Sequence, residues 1–477
     1  MDFFDIRDLW RIGKRHKINL GLWLVAVIAL TLYLFILKYT DGEWSVYMPC
    51  IFASLAFFVA ELAWIFLHSN RQITPLILFL LAFYLVRNSQ FLLVLFGVPF
   101  DVHHLVLLKE HLRDAIVLTS VGNIWAGFAG IVATVPHLEM GQLRVAVQDN
   151  CDEKNLFRFL GIGVLLTGGV AYVLAVLRFS RFLTGGMELS TGFNDRIPQV
   201  VGWMENLFVP FGFAMVAFFQ KKRTGAVVIA SLFGYFLLTM LCKSLPLGVA
   251  GLFALLFLIC LMPQESYRPA HSIGLFAVIS ILLLILSWIV TQIRNPEDLG
   301  NLSLRSLAVN AFSGIGYGCF ALLAALRIVP ASEPFLYGRE YAEALLSGLL
   351  PSAPDQNGIL GKLTADTRIY EVWQERYFGE VTGTVGFSPD AEAYLNFGCY
   401  GFLMIFLFCM VIAFFLNRYH WYDRSSRFPK YVACVLLYAC MSFPGRDGSS
   451  ILRMLVWGVI LMALATRLCV RRNPEPV

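Results

Sequence analysis

The sequence predicts an all-α polytopic membrane protein, and three observations lead to this fold class. Hydrophobic residues make up 58% of the 477 residues and charged residues 14%, against roughly 45–50% and 25% in soluble domains. The apolar residues gather in runs long enough to cross a bilayer, which takes roughly 20 residues as helix. Lysines and arginines collect between alternate runs. A single integral membrane domain, residues 1–477, is therefore predicted.

Apolar runs that qualify as transmembrane helices are spread along the whole chain, and we count about twelve. They are Ile18–Leu37, Val46–Leu67, Thr74–Phe96, Ala115–Val135, Phe159–Leu177, Val200–Phe219, Ala226–Leu241, Leu245–Met262, Ile273–Val290, Phe397–Leu416, Phe428–Phe443 and Ile451–Ala465. The first run lacks a small-residue cleavage site, so it is predicted to be a span and not a signal peptide. Most of the ten cysteines lie in apolar runs, where cysteine behaves as a small hydrophobe.

The basic residues predict the orientation of these spans. With a cytoplasmic N-terminus, the inner segments hold most lysines and arginines, for example Arg7–Lys17, Arg418–Lys430 and Arg467–Arg472, and the short outer loops hold far fewer. An excess of basic residues is typical of cytoplasmic loops. An even number of spans also returns the C-terminus to the cytoplasm.

One large outer loop, residues 291–395, is predicted between the ninth and tenth spans. It contains the apolar segment Leu304–Ile328, which would place the Arg418–Lys430 cluster outside if it were counted as a span. The polar residues of this segment recur at helical spacing at Ser306, Asn310, Ser313 and Tyr317. We therefore predict amphipathic helix in the loop, lying on or dipping into the outer surface.

Basic residues on the predicted outer side run against the orientation bias. They are Arg178, Arg181, Lys243, Arg294, Arg305, Arg339, Arg446 and Arg453. Arginine matches phosphate oxygens in bidentate fashion and stays charged when partly desolvated, so an anionic headgroup at the membrane surface would explain the set. The alternative, expected for part of the set, is ion pairing with acids of the same loops.

Ionisable residues within or beside the apolar runs are functional candidates because charge is expensive in a membrane. They are Glu61, Arg87, Glu205, Lys243 and Arg453. For Glu61 and Arg87, pairing with another helix explains the residue as well as function does. Lys243 and Arg453 lie near predicted outer span ends, where the side chain can snorkel to the interface.

Three acids stand at the predicted outer mouth of the late spans. Asp390 and Glu392 precede the tenth span, and Asp447 follows Arg446 in a turn between the last two spans. A positioned carboxylate can act as a general base. Helix capping is the alternative for Asp390 and Glu392, since acids favour a helix N-terminus. Asp447 is a base, a substrate ligand or the partner of Arg446.

Several classes of site are not predicted. His103, His104 and His111 lie on one outer loop without a fourth ligand or an HExxH pattern, so no metal site is expected. There is no phosphate-binding loop of the GxxxxGK[ST] type and no large cytoplasmic segment. We therefore expect no cofactor and no nucleic-acid partner.

Motifs in the last third of the chain resemble those of a known family. The segment 386–398 (GFSPDAEAYLNFG), followed by Tyr400-Gly401, resembles a pattern of the O-antigen and capsule oligosaccharide repeat-unit polymerases, which are polytopic membrane glycosyltransferases. Glu333–Gly338, running on to Leu350-Pro351, is similar to the upstream part of that family's outer loop. Arg446-Asp447 resembles its late basic turn. Two departures are Ser352, where a basic residue often follows the proline, and Lys243, where arginine often stands.

This resemblance implies an all-helical membrane glycosyltransferase of the GT-C-like kind. A growing glycan would move from one polyprenyl diphosphate onto a second carrier-linked repeat unit, on the outer face of a bacterial cytoplasmic membrane. The product would be O-antigen, capsular polysaccharide or exopolysaccharide. A chain-length regulator and a flippase would be partners.

The resemblance also implies roles for individual residues. Glu392 would be the base or would position the acceptor, with Asp447 as a second catalytic candidate, and Asn396 would orient Glu392 or a sugar hydroxyl. The diphosphate and sugar would be held by basic residues, namely Arg178, Arg181, Lys243, Arg305, Arg339, Arg446 and Arg453.

Three other functions are compatible with the sequence. An O-antigen ligase has the same topology and donor but transfers to a lipid A core. A flippase or transporter belongs to another class and often shows paired repeats with broken helices; no such repeat is visible in the sequence. A structural subunit of an envelope complex is the third.

Overall fold

Helices are the only regular structure in the part of the chain that the computed structural model describes. That part comprises residues 14–40, 43–69, 74–95, 109–139, 153–191, 199–219, 223–261, 269–294, 318–331, 334–339, 341, 388–417, 431, 434–435, 437–439 and 460. The α-helices are α1 (Lys14–Leu37), α2 (Glu43–His68), α3 (Pro75–Leu95), α4 (Leu112–Glu139), α5 (Glu153–Thr191), α6 (Gln199–Phe219), α7 (Arg223–Cys242), α8 (Leu245–Leu256), α9 (Pro269–Arg294), α10 (Gly318–Ile328), α11 (Pro389–Phe397) and α12 (Phe402–Asn417). A π-helical turn, Phe257–Leu261, continues α8.

These helices make the chain a multi-pass membrane protein. Within the described residues eight stretches of helix are long and apolar enough to cross a membrane, and two shorter apolar helices are Met204–Phe219 and Leu247–Ile259. Large apolar side chains such as Leu22 on α1 and Leu165 on α5 are exposed, which suits hydrocarbon and not water. The predicted all-α membrane class is confirmed.

The number of spans stays a prediction. The first ten predicted runs all fall on described helices. The last two, Phe428–Phe443 and Ile451–Ala465, lie mostly outside the described residues. The cytoplasmic position of both termini also stays a prediction.

Helix α4 lies at the centre of the packing, against α1, α2 and α12. Its glycines explain the close approach of its neighbours. A Cβ atom on Gly122 would overlap Arg87 of α3, one on Gly127 would overlap Glu61 of α2, and one on Gly130 would stand 2.7 Å from a Leu80 methyl. Small residues at helix interfaces let membrane helices pack closely without a hydrophobic driving force.

Helix α5 continues past the predicted end of the fifth span. The predicted loop Arg178–Pro198 begins as helix, and the regular geometry breaks only at Gly185 and Gly186, where Gly186 has φ 68°. That conformation favours glycine. Arg178 and Arg181 are therefore held on a rigid helix, which the hydropathy window ends too early because it stops at the first charged residue.

The described end of the predicted amphipathic segment is buried, which differs from the expected surface position. Helix α10 packs against α3, α4 and α11. Ala321, Leu322 and Leu323 are buried, and Arg327 is exposed. The polar stripe Ser306–Tyr317 lies outside the described residues.

The predicted tenth span is broken near its start. Helix α11 ends at Gly398, which has φ 57°, and a 3₁₀ turn, Gly398–Gly401, leads into α12. A Cβ on Gly398 would stand 3.0 Å from the ring of Phe335, and one on Gly401 would stand 2.7 Å from the carbonyl group of Ala393. Both glycines of the family-like motif are therefore required by packing and backbone conformation.

Gly401→Ala is expected to destabilise the protein by about 1–3 kcal/mol, the usual range for forcing extra atoms into a packed interior. The obstacle is the backbone of Ala393, which cannot rotate away as a side chain can. Thermal unfolding of the purified protein in detergent measures the effect. The matched control is Gly161→Ala on α5, where nothing lies within 4 Å of the added methyl. If both variants unfold at the wild-type temperature, the close contact at Gly401 does not exist.

Candidate functional site

Four side chains from α5, α6, α7 and the turn after α7 meet around one carboxylate, and we call them the Glu205 cluster: Arg178, Glu205, Tyr235 and Lys243. The Arg178 guanidinium donates to both oxygens of Glu205, Nη1 to Oε1 at 2.6 Å and Nη2 to Oε2 at 2.8 Å. Lys243 Nζ and the Tyr235 hydroxyl each donate to Oε1 at 2.9 Å. Two cations therefore share one carboxylate, and the three charged groups sum to one positive charge.

Burial makes these interactions strong. Glu205 is 1% exposed and Arg178 is 3% exposed. The side chain of Lys243 is 18% exposed, so the cluster opens towards the surface on the lysine side. Charged hydrogen bonds out of water are stronger than exposed ones, and removing Glu205 would leave two cations without the carboxylate that they share.

The turn between α7 and α8 fixes the position of Lys243. The backbone N–H groups of Lys243 and Ser244 both donate to the Thr239 carbonyl, at 3.0 and 2.8 Å, and so close the end of α7. Pro246 lies in the first turn of α8, where its missing N–H costs nothing and its fixed φ favours the helix. Lys243 therefore lies in the short turn between the end of α7 and the start of α8.

An aromatic floor lies beneath the cluster. Tyr235 packs edge-to-face on Phe208 with 5.3 Å between ring centroids, and both rings contact Tyr172. Tyr438, one of the few described residues after α12, contacts Phe213 and Phe236 beside this floor. The late part of the chain therefore packs against the helices that carry the Glu205 cluster.

Two further cations stand near the cluster. Arg181 lies one helical turn after Arg178 on α5. Arg294, the last residue of α9, donates from Nη1 to the Met240 carbonyl at 3.4 Å. The ends of α5, α7 and α9 therefore form one basic region.

A second buried ion pair joins α3 to α11, the short helix at the end of the predicted outer loop. Arg87 donates from Nε to Asp390 Oδ2 at 2.6 Å and from Nη2 to Oδ1. The guanidinium carbon also lies 4.7 Å from the centroid of the Phe83 ring. Both charged residues are almost fully buried, so Asp390 is the partner of Arg87. The helix cap is Ser388, whose hydroxyl accepts from Ala391 N at 3.2 Å.

Glu392 lies in the first turn of α11 and is 5% exposed. Asn396 follows one turn later and donates from Nδ2 to the backbone carbonyl of Glu392 at 2.8 Å. Its Oδ1 atom accepts from Gly338 N at 3.0 Å. The predicted base and its predicted helper therefore lie on one short, buried helix.

Residues 334–339, which precede most of the predicted outer loop, pair with the end of α11. Leu336 N donates to the Leu395 carbonyl and Tyr337 N to the Asn396 carbonyl, both at 3.0 Å. Arg339 lies in this segment and is exposed. Three predicted site residues, Arg339, Glu392 and Asn396, are thus brought to one region.

The structure brings together some predicted site residues and says nothing of others. Arg178 and Lys243 share Glu205, and Arg181 lies on the same helix as Arg178. Predicted site residues outside the described ranges are Arg305, Arg446, Asp447 and Arg453. Within the described residues no group of three or more histidines, cysteines and acids could hold a metal ion.

Sequence reasoning singled out Glu205 and Arg87 only as charges inside apolar runs and gave them no partners. Arg178 is predicted to bind substrate or to pair with an acid of the loops, and Asp390 is predicted to act as a base or to cap a helix. The signal that could have identified these partners is charge balance, because an acid buried within an apolar run is expected to pair with a cation. Glu61, a further buried acid, has no hydrogen-bond partner for either oxygen within the described residues.

Comparison with known proteins decides the family. A family profile described as O-antigen polysaccharide polymerase Wzy matches residues 22–473. The chain belongs to this family. The match covers nearly the whole chain, far more than the late motifs that carry the resemblance in the sequence. No curated protein and no solved structure matches.

Membership of the Wzy family confirms the predicted family and the general function, which is O-antigen polymerisation by a multi-pass membrane protein. It implies a glycosyltransferase-like polymerase activity, a lipid-linked oligosaccharide substrate and a membrane setting. Three buried, charged features of the described residues are candidates for this activity. They are the Glu205 cluster, the Arg87–Asp390 pair and α11 with Glu392.

Proposed function

We propose that this protein joins polyprenyl-diphosphate-linked repeat units into O-antigen on the outer face of a bacterial cytoplasmic membrane. The observation that carries the proposal is the pair of cations, Arg178 on α5 and Lys243 directly after α7, fixed around one buried carboxylate. In a polymerase that works without nucleotide motifs, the diphosphate of the donor is the anion that such cations would hold. Capsular polysaccharide and exopolysaccharide are the alternative products.

The donor site is built from basic residues of several elements. Arg178 supplies a bidentate fork, which suits phosphate oxygens as well as carboxylate oxygens, and Lys243 supplies a point charge. We add Arg181, Arg305, Arg339, Arg446 and Arg453 to the proposal as contacts to the headgroup and the first sugars. The contacts of Tyr438 with Phe213 and Phe236, beside the floor of the Glu205 cluster, support the inclusion of Arg446, which follows Tyr438 by eight residues.

The course of the chain supports the assignment of the Glu205 cluster to the outer face. Consecutive spans cross in alternate directions, so the ends of α5, α7 and α9 share one face. The excess of basic residues in the intervening segments makes the opposite face cytoplasmic. The donor diphosphate would then be met at the outer headgroup level.

In the proposed reaction, a hydroxyl of the acceptor sugar attacks the anomeric carbon of the donor glycan. The new bond joins that oxygen to the anomeric carbon, and the bond from the anomeric carbon to the carrier phosphate breaks. The hydroxyl proton passes to the carboxylate of Glu392, and the carrier diphosphate leaves with the bonding electrons. Asp447 is the second candidate for the base, and Asn396 holds α11 and residues 334–339 in register around Glu392.

The rival functions differ in what accumulates when the protein is lost. Without a ligase, long polymer stays on its carrier; without a flippase, repeat units stay inside the cell. The family profile favours the polymerase. A chain-length regulator and a flippase remain proposed partners.

Deletion of the gene in its host, followed by sizing of carrier-linked and surface glycans, tests the proposal. We expect long polymer to collapse to one repeat unit and wild-type protein to restore it. Arg178→Ala should fail to restore polymer although the protein is present on immunoblots, because Lys243 still neutralises Glu205. Arg158→Ala, which removes an exposed arginine from the other end of α5, should restore it fully. Unchanged polymer after deletion, in a host without a second polymerase, would contradict the proposal.

A further inference from the structure

Glu205 occupies the position in which an anionic ligand would bind. Its two oxygens accept four hydrogen bonds, at 2.6–2.9 Å, from Arg178, Tyr235 and Lys243. Donors from three different parts of the chain converge on it, in the manner of a site that receives an oxyanion. Two of these donors, Arg178 and Lys243, are proposed above to hold the donor diphosphate.

We propose that Glu205 is an internal counter-anion that occupies these cations when no carrier is bound and gives them up to the diphosphate. This inference rests on the proposed function and adds a specificity-determining residue to it. With Glu205 in place, the charges of Arg178, Lys243 and Glu205 sum to only one positive charge. The site is therefore held together without substrate and binds anions weakly.

Competition with Glu205 selects the ligand by charge. A carboxylate offers one negative charge and two oxygens. A polyprenyl diphosphate offers more charge and oxygens on two phosphorus atoms, so it can take both cations at once. A polyprenyl monophosphate has one phosphorus atom with which to displace the carboxylate. The site thus distinguishes the activated carrier from its monophosphate.

The same competition helps the spent carrier to leave. After transfer, the diphosphate remains on the lipid and would stay bound to Arg178 and Lys243. When Glu205 returns to Arg178 and Lys243, it displaces the product. Glu205 therefore lowers the affinity for diphosphate and raises the rate of turnover.

A purely structural role makes the opposite prediction. If Glu205 only neutralises two cations that never contact substrate, its removal weakens the fold and leaves diphosphate binding unchanged. The two possibilities differ in whether a diphosphate can replace the missing carboxylate.

The test uses the full chain, purified in detergent, with farnesyl diphosphate and farnesyl monophosphate as probes. Glu205→Gln is expected to unfold at a lower temperature than wild type without ligand and to regain that stability with farnesyl diphosphate, since a bound ligand stabilises the folded state. Its Kd for the diphosphate should fall by about tenfold, equivalent to about 1.4 kcal/mol, and its preference over the monophosphate should shrink. Glu110→Gln, which neutralises an exposed acid outside the cluster, is the control and should bind like wild type.

Two outcomes separate this inference from the proposed function. If wild type binds farnesyl diphosphate, Arg178→Ala does not, and Glu205→Gln binds no more tightly than wild type, Glu205 is a structural counter-ion and only this inference fails. If wild type does not bind the diphosphate and Arg178→Ala still makes polymer, the diphosphate site itself is wrong. Should Glu205→Gln fail to fold, Glu205→Asp carries the test. It keeps the charge but is one methylene too short to hold both cations, so it should also bind the diphosphate more tightly than wild type.

Discussion

Glu392→Gln is expected to abolish polymer while leaving a folded protein in the membrane. Glutamine has the shape of glutamate, so the packing of α11, in which Glu392 is buried, is preserved. What is lost is the ability to accept the proton of the acceptor hydroxyl, and positioned general bases contribute about 10²–10⁴-fold to rate. Sizing of carrier-linked glycans in the deletion strain, complemented with this variant, should show single repeat units.

The control for Glu392 is another acid at the start of a helix. Glu110 precedes α4 and its side chain is 67% exposed beside His111, so Glu110→Gln should restore normal polymer. Equal amounts of both variants on immunoblots would exclude a loss of protein. Normal chain length in Glu392→Gln would remove Glu392 from the mechanism and leave Asp447 as the candidate base.

Asp390→Ala is expected to destabilise the protein by about 3–5 kcal/mol, the usual result of breaking a buried ion pair by removing one partner. The reason is that Arg87 would remain buried and charged between α3 and α4 without its carboxylate. Thermal unfolding in detergent, together with the yield of monodisperse protein, measures the loss. Glu110→Ala, at an exposed ion pair, should change stability by less than about 1 kcal/mol.

A double replacement distinguishes the effect of the two charges on stability from the role of the Arg87–Asp390 pair in holding α11 against α3. Arg87→Met with Asp390→Leu removes both charges and fills the space with apolar atoms, an exchange that is often neutral or stabilising by about 1–4 kcal/mol. We expect the double variant to unfold near the wild-type temperature but to make less polymer, because α11 and Glu392 are no longer tied to α3. If the double variant is as unstable as Asp390→Ala, the instability does not come from the unpaired arginine.

Local patterns in the sequence predicted the helices, and tertiary pairing decided the site. Apolar runs report directly on burial in a bilayer, so each of the first ten runs coincides with a described helix. The run that ends at Leu177 stops too early, because a hydropathy window cannot register that Arg178 is buried against Glu205. The break at Gly398 was missed for a similar reason, since the positive φ of one glycine does not alter hydropathy.

The partners of the charged residues could not be predicted from local sequence. Arg87 and Asp390 are 303 positions apart, and no periodicity or motif joins them. Arg178, Lys243, Glu392 and Asn396 were singled out from their placement at predicted span ends, and the structure finds them in two buried polar regions. Their roles towards substrate remain predictions that the variants above will test.

The pairing of residues 334–339 with α11 has an evolutionary consequence. Three hydrogen bonds, donated by the backbone N–H groups of Leu336, Tyr337 and Gly338, join residues 334–339 to α11. Because both ends are anchored to each other, the stretch between them can lengthen, shorten or change sequence without shifting Glu392, and closing a longer loop costs little extra entropy. We therefore expect insertions and substitutions to accumulate in this stretch during evolution while Glu392, the proposed base, keeps its position.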